Sequence, residues 1–212
     1  MSSHNNTGDQ TMPYLIPDAD FDLKLSLLDK NIEHTKNFIE KGVIDFHLAD
    51  AVIPDGYRFV KALNKDEYRM VTTGAGQPET VYAVKLLFRN DIVINKETCT
   101  QIMVWRTLSS KHQTAASSLP RIFFKHLLKS YSIVVTDEEQ TGDGKRFWKI
   151  MIDWALVTNY HVYISDGTEM DRPLTQVSSI SELIEKWEAF CWGYDTEVHR
   201  HRLIVISKNA LL

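Results

Sequence analysis

The sequence predicts an α/β protein of the α+β kind, with a mixed, mostly antiparallel central sheet and flanking helices. Three observations carry that reading. Residues 57–95 fall into short β-like runs parted by hairpin connections, and residues 101–166 then alternate strand, loop, helix, strand, helix, strand. The composition over 212 residues, 43% hydrophobic and 25% charged with only 9 Gly and 6 Pro, is that of a globular chain able to bury a sizeable core without staples.

Taken in order, residues 1–13 are polar and read as a disordered tail, with no apolar core of a signal peptide. Residues 14–212 read as one domain in three parts: a helical part (14–56), the core sheet with its helices (57–165), and a closing helix and strand (166–212). Asp18 or Asp20 caps a helix running to about Lys41. Leu23, Leu27, Leu28, Ile32, Phe38 and Ile39 form its apolar stripe, and Gly42 ends it. Residues 43–53 add a turn or short helix before the turn signal Pro54-Asp55-Gly56.

Tyr57–Leu63, Glu67–Thr72, Val81–Phe88 and Asp91–Asn95 then make an antiparallel meander, with turns at residues 64–66, 74–78 and 89–91. The strand Gln101–Thr107 leads through a small-residue loop, Ser109–Ser118, into a helix with Pro120 in its first turn. After the strand Ser132–Thr136 and a Gly142-Asp143-Gly144 turn comes an amphipathic helix on Phe147, Ile150, Met151, Trp154, Ala155 and Thr158. Tyr160–Ile164 is the next strand. A polar loop over 166–173 precedes a helix at about 180–190, with Ser179 and Glu182 as a capping box, and His201–Ser207 closes the chain as a strand.

Charge is unevenly distributed. Residues 1–80 carry 13 acids against 8 bases, whereas residues 98–136 hold no Asp or Glu but do hold Arg106, Lys111, Arg121, Lys125 and Lys129. That is a local field for an anion, not the footprint of a bulk nucleic-acid binder. No apolar run approaches the ~18 residues of a membrane span, and the chain reads as cytoplasmic. Cys99 and Cys191, far apart and without motifs, read as reduced, partly buried thiols. Glu197, His199 and His201 could share one face of a strand as metal ligands, but charge beside a strand end is the commoner meaning of such a run, and no metal is expected. Arg200, Arg202 and Lys208 with Trp192 and Tyr194 form a basic and aromatic patch of the kind that more often completes a core than stacks on bases.

The order of elements, and the residues around 101–166, resemble the GNAT superfamily of N-acetyltransferases. In that family a loop of pattern Q/R-x-x-G-x-G/A wraps the pyrophosphate of acetyl-CoA at a helix N-terminus. Gln113-Thr114-Ala115-Ala116-Ser117-Ser118 falls in that place, with Ala116 and Ser118 where glycine and glycine or alanine are usual. Small side chains there let backbone N–H groups approach an anion, while Ala narrows the turn geometry that Gly permits. An ordinary loop capped by Ser117 or Ser118 is the alternative. The family's second element, N-x-x-A-x-x-F-Y, is met by Thr141, Gly144, Phe147 and Trp148.

The resemblance implies acetyl-CoA as acyl donor. The preceding strand, through Val104, Trp105 and Arg106, would pair with the pantetheine arm, and Gln113, Ala116, Ser118, Thr141, Gly144 and Phe147 would complete the cofactor site. Trp148 stands where the family's tyrosine often protonates the leaving thiolate, and an indole N–H does not titrate in the useful range. For a base, Glu97 and the run Asp137, Glu138 and Glu139 are nearest, with Glu138 and Glu97 the leading candidates and a solvated turn the bland meaning of the run. Two functions follow as expectations: an acyl-CoA-dependent N-acyltransferase acting on a small-molecule or protein amine, or a non-catalytic binding or inhibitory protein on the same fold, such as a phage accessory protein that docks on a partner.

Overall fold

The computed structural model describes Tyr14 and Leu15, residues 25–193 and residues 195–212; the tail, Asp18, Asp20 and Leu23 lie outside the described residues. Strand β1 is Tyr14–Leu15 and helix α1 is Leu28–Glu40. Gly42 follows it at φ 94, a left-handed conformation that stops a helix at little cost to glycine. The predicted stripe of α1 is displaced. Leu27 and Leu28 are 50% and 57% exposed, while Asn31, Thr35 and Phe38 are buried. The two polar residues are inside because they serve backbone: Thr80 N–H donates to Asn31 Oδ1 at 2.7 Å and to Thr35 Oγ1 at 2.9 Å.

The turn or short helix expected after α1 is instead a strand, β2 (Val43–Asp45), at one edge of the main sheet. The meander follows as β3 (Tyr57–Ala62), β4 (Glu67–Thr72), β5 (Thr80–Val93) and β6 (Lys96–Arg106), all antiparallel neighbours. No turn forms at Arg89-Asn90-Asp91. The side chains of Arg89 and Asp91 stand two residues apart and clasp each other, Nε to Oδ1 at 2.9 Å and Nη2 to Oδ2 at 2.6 Å. The chain reverses later, where Asn95 adopts φ 58, so β6 begins five residues before the predicted Gln101.

A helical turn, α2 (Gln113–Ala116), and the helix α3 (Leu119–Tyr131) lead to β7 (Ile133–Val135) through Ser132, which takes a left-handed conformation at the helix end. A short β8 (Glu139–Gln140) pairs in parallel with β1. Helix α4 (Gly142–Val157) precedes β9 (His161–Asp166) and β10 (Leu174–Val177), the latter lying in what reads as open loop and coil in the sequence. A helical stretch over 180–191, with a π turn at Leu183–Trp187, and a helical turn at Thr196–His199 complete the approach to β11 (Arg202–Ser207).

The nine strands of the main sheet run β10-β9-β11-β7-β6-β5-β4-β3-β2, every neighbour antiparallel except β6 and β7. Alternation along the strands splits the apolar residues between two faces. On one face Phe59, Met70, Tyr82 and Val134 pack with Phe123, Phe124, Leu127 and Leu128 of α3 and with Trp148, Met151, Ile152 and Ala155 of α4. On the other, Val60, Ala62 and Val71 meet Phe38 of α1. There the end of the β5–β6 hairpin, Ile92 and Val93, packs with Ile133, Val135, Tyr163, Leu203 and Val205.

Candidate ligand-binding cleft

Between β6 and β7 the parallel register comprises Cys99↔Val134 and Thr100↔Val135, and there it stops. Gln101 to Arg106 continue as strand but are paired on the β5 side alone. Their register with β5 also slips. Lys85 faces Met103 and Leu86 faces Gln101, so Ile102 has no partner residue on β5, the signature of a β-bulge. The sheet therefore parts at this point. The starts of α3 and α4 stand on either side of the opening, enclosing a cleft of about 810 Å³, within the size range of small-molecule and cofactor sites.

At the open end, Ser117, Ser118 and Arg121 border the cleft. Ser118 makes no side-chain cap on α3, and among the described backbone hydrogen bonds none is donated by Ser118 or Leu119. The start of this 13-residue helix, with Pro120 in its first turn, brings the positive end of its dipole to the cleft. Arg106 reaches across, its Nη1 3.5 Å from the Ser117 carbonyl oxygen. The predicted loop is partly helical here, because Ala116 is drawn wholly into the core beside Leu119. Gln113 and Ala116 accordingly lie off the cleft wall. The base of the segment is fixed by buried His112, whose Nδ1 is 2.8 Å from the Tyr57 hydroxyl.

The second wall is the beginning of α4. Thr141 is its N-cap and accepts the Gly144 N–H at 3.0 Å, as the small residue at 144 allows, and Asp143 pairs with Arg146 on the rim. The helix buries Trp148, Met151, Ile152 and Ala155, so Ile150, predicted as core, turns toward the cleft and is 52% exposed, while Phe147 packs on Phe124 at the edge of the core and also borders the cleft. Trp148 touches both environments. Its ring meets Phe124 edge-on at 5.2 Å between centroids, and it also borders the opening.

Gln101, Trp105 and Asp137 also contribute to the lining. Gln101 is the first residue beyond the last parallel pair, is 5% exposed, and borders the cleft. Among the described residues neither its amide oxygen nor its amide nitrogen has a hydrogen-bond partner, nor has the indole nitrogen of Trp105. Asp137, just past β7, is the acid of the 137–139 run on the cleft wall, and its Oδ1 accepts the Glu138 N–H at 2.8 Å. The Glu138 carboxylate is off that wall, held by Arg89 Nη1 at 2.5 Å, and Arg89 is raised above its ordinary pKa first by its bond to Asp91. Glu97 is exposed near the start of β6 and likewise off the wall.

The structure therefore gathers Val104, Trp105, Arg106, Ser118, Thr141, Gly144 and Phe147 around one cleft, and leaves Gln113, Ala116, Glu97 and Glu138 outside its lining. Sequence reasoning missed Gln101 and Ile102 as site residues. The polar Gln at the head of the apolar run Ile102-Met103-Val104-Trp105 was the available signal, whereas the bulge leaves no mark in composition.

Elsewhere, Glu197, His199 and His201 do not share a strand face, since Thr196–His199 is helical and His199 turns back to Asp195 and Ala189. Burial pushes both cysteine thiols up to about 12, which keeps them protonated and inert. Among the described residues no helix is long and apolar enough to cross a membrane. Neither a protein-family model, nor a curated protein, nor a solved structure matches this chain.

Proposed function

We propose that the protein is an acyl-CoA-dependent N-acyltransferase of GNAT type, with acetyl-CoA the family's usual donor and an amine of a small molecule or protein as acceptor. The observation that carries this reading is the parting of β6 from β7 beyond Thr100 and Val135, with the start of α3 bordering the same opening. From Gln101 to Arg106 the strand extends about 17 Å. A pantetheine arm, an extended chain of about a dozen bonds, spans about 15 Å at the pitch of an extended backbone. Such an arm fits between an anion bound at Ser118 and a thioester lodged near Gln101.

In this reading the pyrophosphate meets the α3 N-terminus with Arg106 and Arg121 beside it, where helix dipole, backbone N–H groups and side-chain charge all favour an anion. The arm pairs with strand backbone that β7 leaves open. At the bulge, close to Ile102, backbone without a β5 partner residue is available to polarise the thioester carbonyl. The amine attacks the carbonyl carbon, the carbon–sulfur bond breaks, and the amine proton passes by way of a carboxylate to the departing thiolate. Asp137, on the cleft wall, suits that task better than Glu138, whose carboxylate is off the wall, or exposed Glu97, and the other acid of the lining, Asp143, pairs with Arg146.

A second reading, a non-catalytic protein that docks on a partner, is favoured by Trp148 in the place of the family's acid and by the engagement of Glu138 with Arg89. Thermal unfolding with acetyl-CoA tests both. Ligand at a hundredfold over its dissociation constant adds about 2.7 kcal/mol to stability, and Ser118→Leu, which fills the anion end, should remove the gain. No shift at millimolar acetyl-CoA rejects a CoA site. A shift without thiol release in the presence of amines selects the docking protein.

A further inference from the structure

The group that decides which acyl chain this cleft accepts is, we infer, Gln101, and the chain it selects carries a neutral group that both donates and accepts hydrogen bonds, a hydroxyl or a carboxamide. The inference rests on the CoA reading above and deepens it. Gln101 sits where β6 and β7 separate, one residue past Thr100↔Val135 and one before the bulged Ile102. A thioester running inward from the α3 N-terminus ends its acyl group there.

A glutamine amide has two N–H donors and an oxygen with two lone pairs. Here both ends are buried without a partner among the described residues, in a side chain 5% exposed that borders the cleft. Buried polar groups in folded proteins are nearly always satisfied, so a bare amide at the end of a ligand cleft points to the ligand. A methyl group, the tail of acetyl, would leave it bare. A carboxylate would use only the N–H side and an ammonium only the oxygen, whereas a hydroxyl or carboxamide answers both. A site built to hydrogen-bond its substrate discriminates strongly against the analogue lacking the group, because its own polar atoms are then left unpaired.

The experiment is calorimetric titration of the full chain with CoA, acetyl-CoA and hydroxyacetyl-CoA, repeated on Gln101→Leu. In the wild-type protein hydroxyacetyl-CoA is expected to bind about tenfold or more tighter than acetyl-CoA, the ratio set by one satisfied buried amide. In Gln101→Leu the two thioesters should come within about twofold of each other. Equal affinities in the wild-type protein overturn the inference without recourse to any variant, as does a preference that survives in Gln101→Leu. Binding of CoA itself separates the two levels: if CoA binds and the thioesters are not distinguished, Gln101 is not the selector; if CoA does not bind, the donor reading falls and this inference with it.

Discussion

Asn31 holds Thr80 by both backbone groups at once, its Nδ2 donating to the Thr80 carbonyl at 2.9 Å and its Oδ1 accepting the Thr80 N–H at 2.7 Å. The contact joins α1 to the first residue of β5 across 49 positions of sequence. Beside the Thr35 bonds, Arg69 donates to the Thr80 hydroxyl at 3.2 Å and is itself anchored by Glu67. Without this clasp a strand start would be buried with its polar groups open.

Replacing Asn31 with Leu removes the clasp while keeping side-chain volume. Thr80 would retain Thr35 as an acceptor for its N–H but lose the donor to its carbonyl. The expected loss is about 1–3 kcal/mol in urea unfolding, the cost of a buried polar group left unmatched. A change within ~0.5 kcal/mol would mean that α1 is held by its apolar contacts alone.

Helix α4 supplies a contrast between neighbours. Ile152 is fully buried and Ile150 faces the cleft, half exposed. Ile152→Ala should cost about 2–5 kcal/mol, the range for a truncated core side chain. Ile150→Ala should stay within about 0.5 kcal/mol in the same denaturant titration. A larger loss at Ile150 than at Ile152 would place the helix in the rotation the apolar spacing predicts.

That rotation bears on what the chain makes legible. Strand positions and their order, the helix after Pro120, the helix over 142–157 and the final strand can all be read from apolar spacing, since burial on one face leaves a period in the sequence. The identity of the buried face is harder where a helix has two apolar sides. Ile150 is as apolar as Ile152, and only the sheet beneath and the opening beside them tell the two apart. Asn31 and Thr35 mislead in the opposite sense, because polar side chains enter a core when a remote backbone needs them, here one 45 to 49 residues away. Turn chemistry at Arg89-Asn90-Asp91 is outbid by tertiary contacts: Thr98 donates to the Arg89 carbonyl and Glu138 fixes the guanidinium. In the cleft, Thr141, Gly144 and Phe147 are legible by spacing, but Gln101 gains its meaning from the parting of two strands that no local pattern records.

Glu182 shows how a cap can be read correctly and still differ in detail. Ser179 accepts the Glu182 N–H at 3.1 Å as a capping box requires, but the carboxylate returns to Ser178, whose hydroxyl donates at 2.6 Å and whose N–H donates at 2.9 Å. The Ser178 hydroxyl first, and then its N–H, hold the carboxyl at about 2, below the ordinary 4.5. A group whose folded value is depressed stabilises the protein above its unfolded value and loses that contribution as pH falls through the folded one. Glu182→Gln should therefore be less stable than the wild-type protein at neutral pH, with the difference shrinking between about 4.5 and about 2. Chemical unfolding of both proteins across that interval is the measurement, and a difference independent of pH would assign the effect to packing.

The two-residue parallel register of β6 and β7 is also the shortest pairing in the main sheet. On one side, β2 to β6 are joined by short turns, and their pairing closes small loops at low entropic cost. On the other, β11 must return to β7 across much of the chain, with Ile204 donating to the Thr136 hydroxyl from 68 positions away. The meander pairs near neighbours, and the later half joins its ladder over two residues only, the rest of the join being side-chain packing. Since the ladder ends where the cleft begins, the cleft takes its walls from both halves of the chain, and neither half alone holds it.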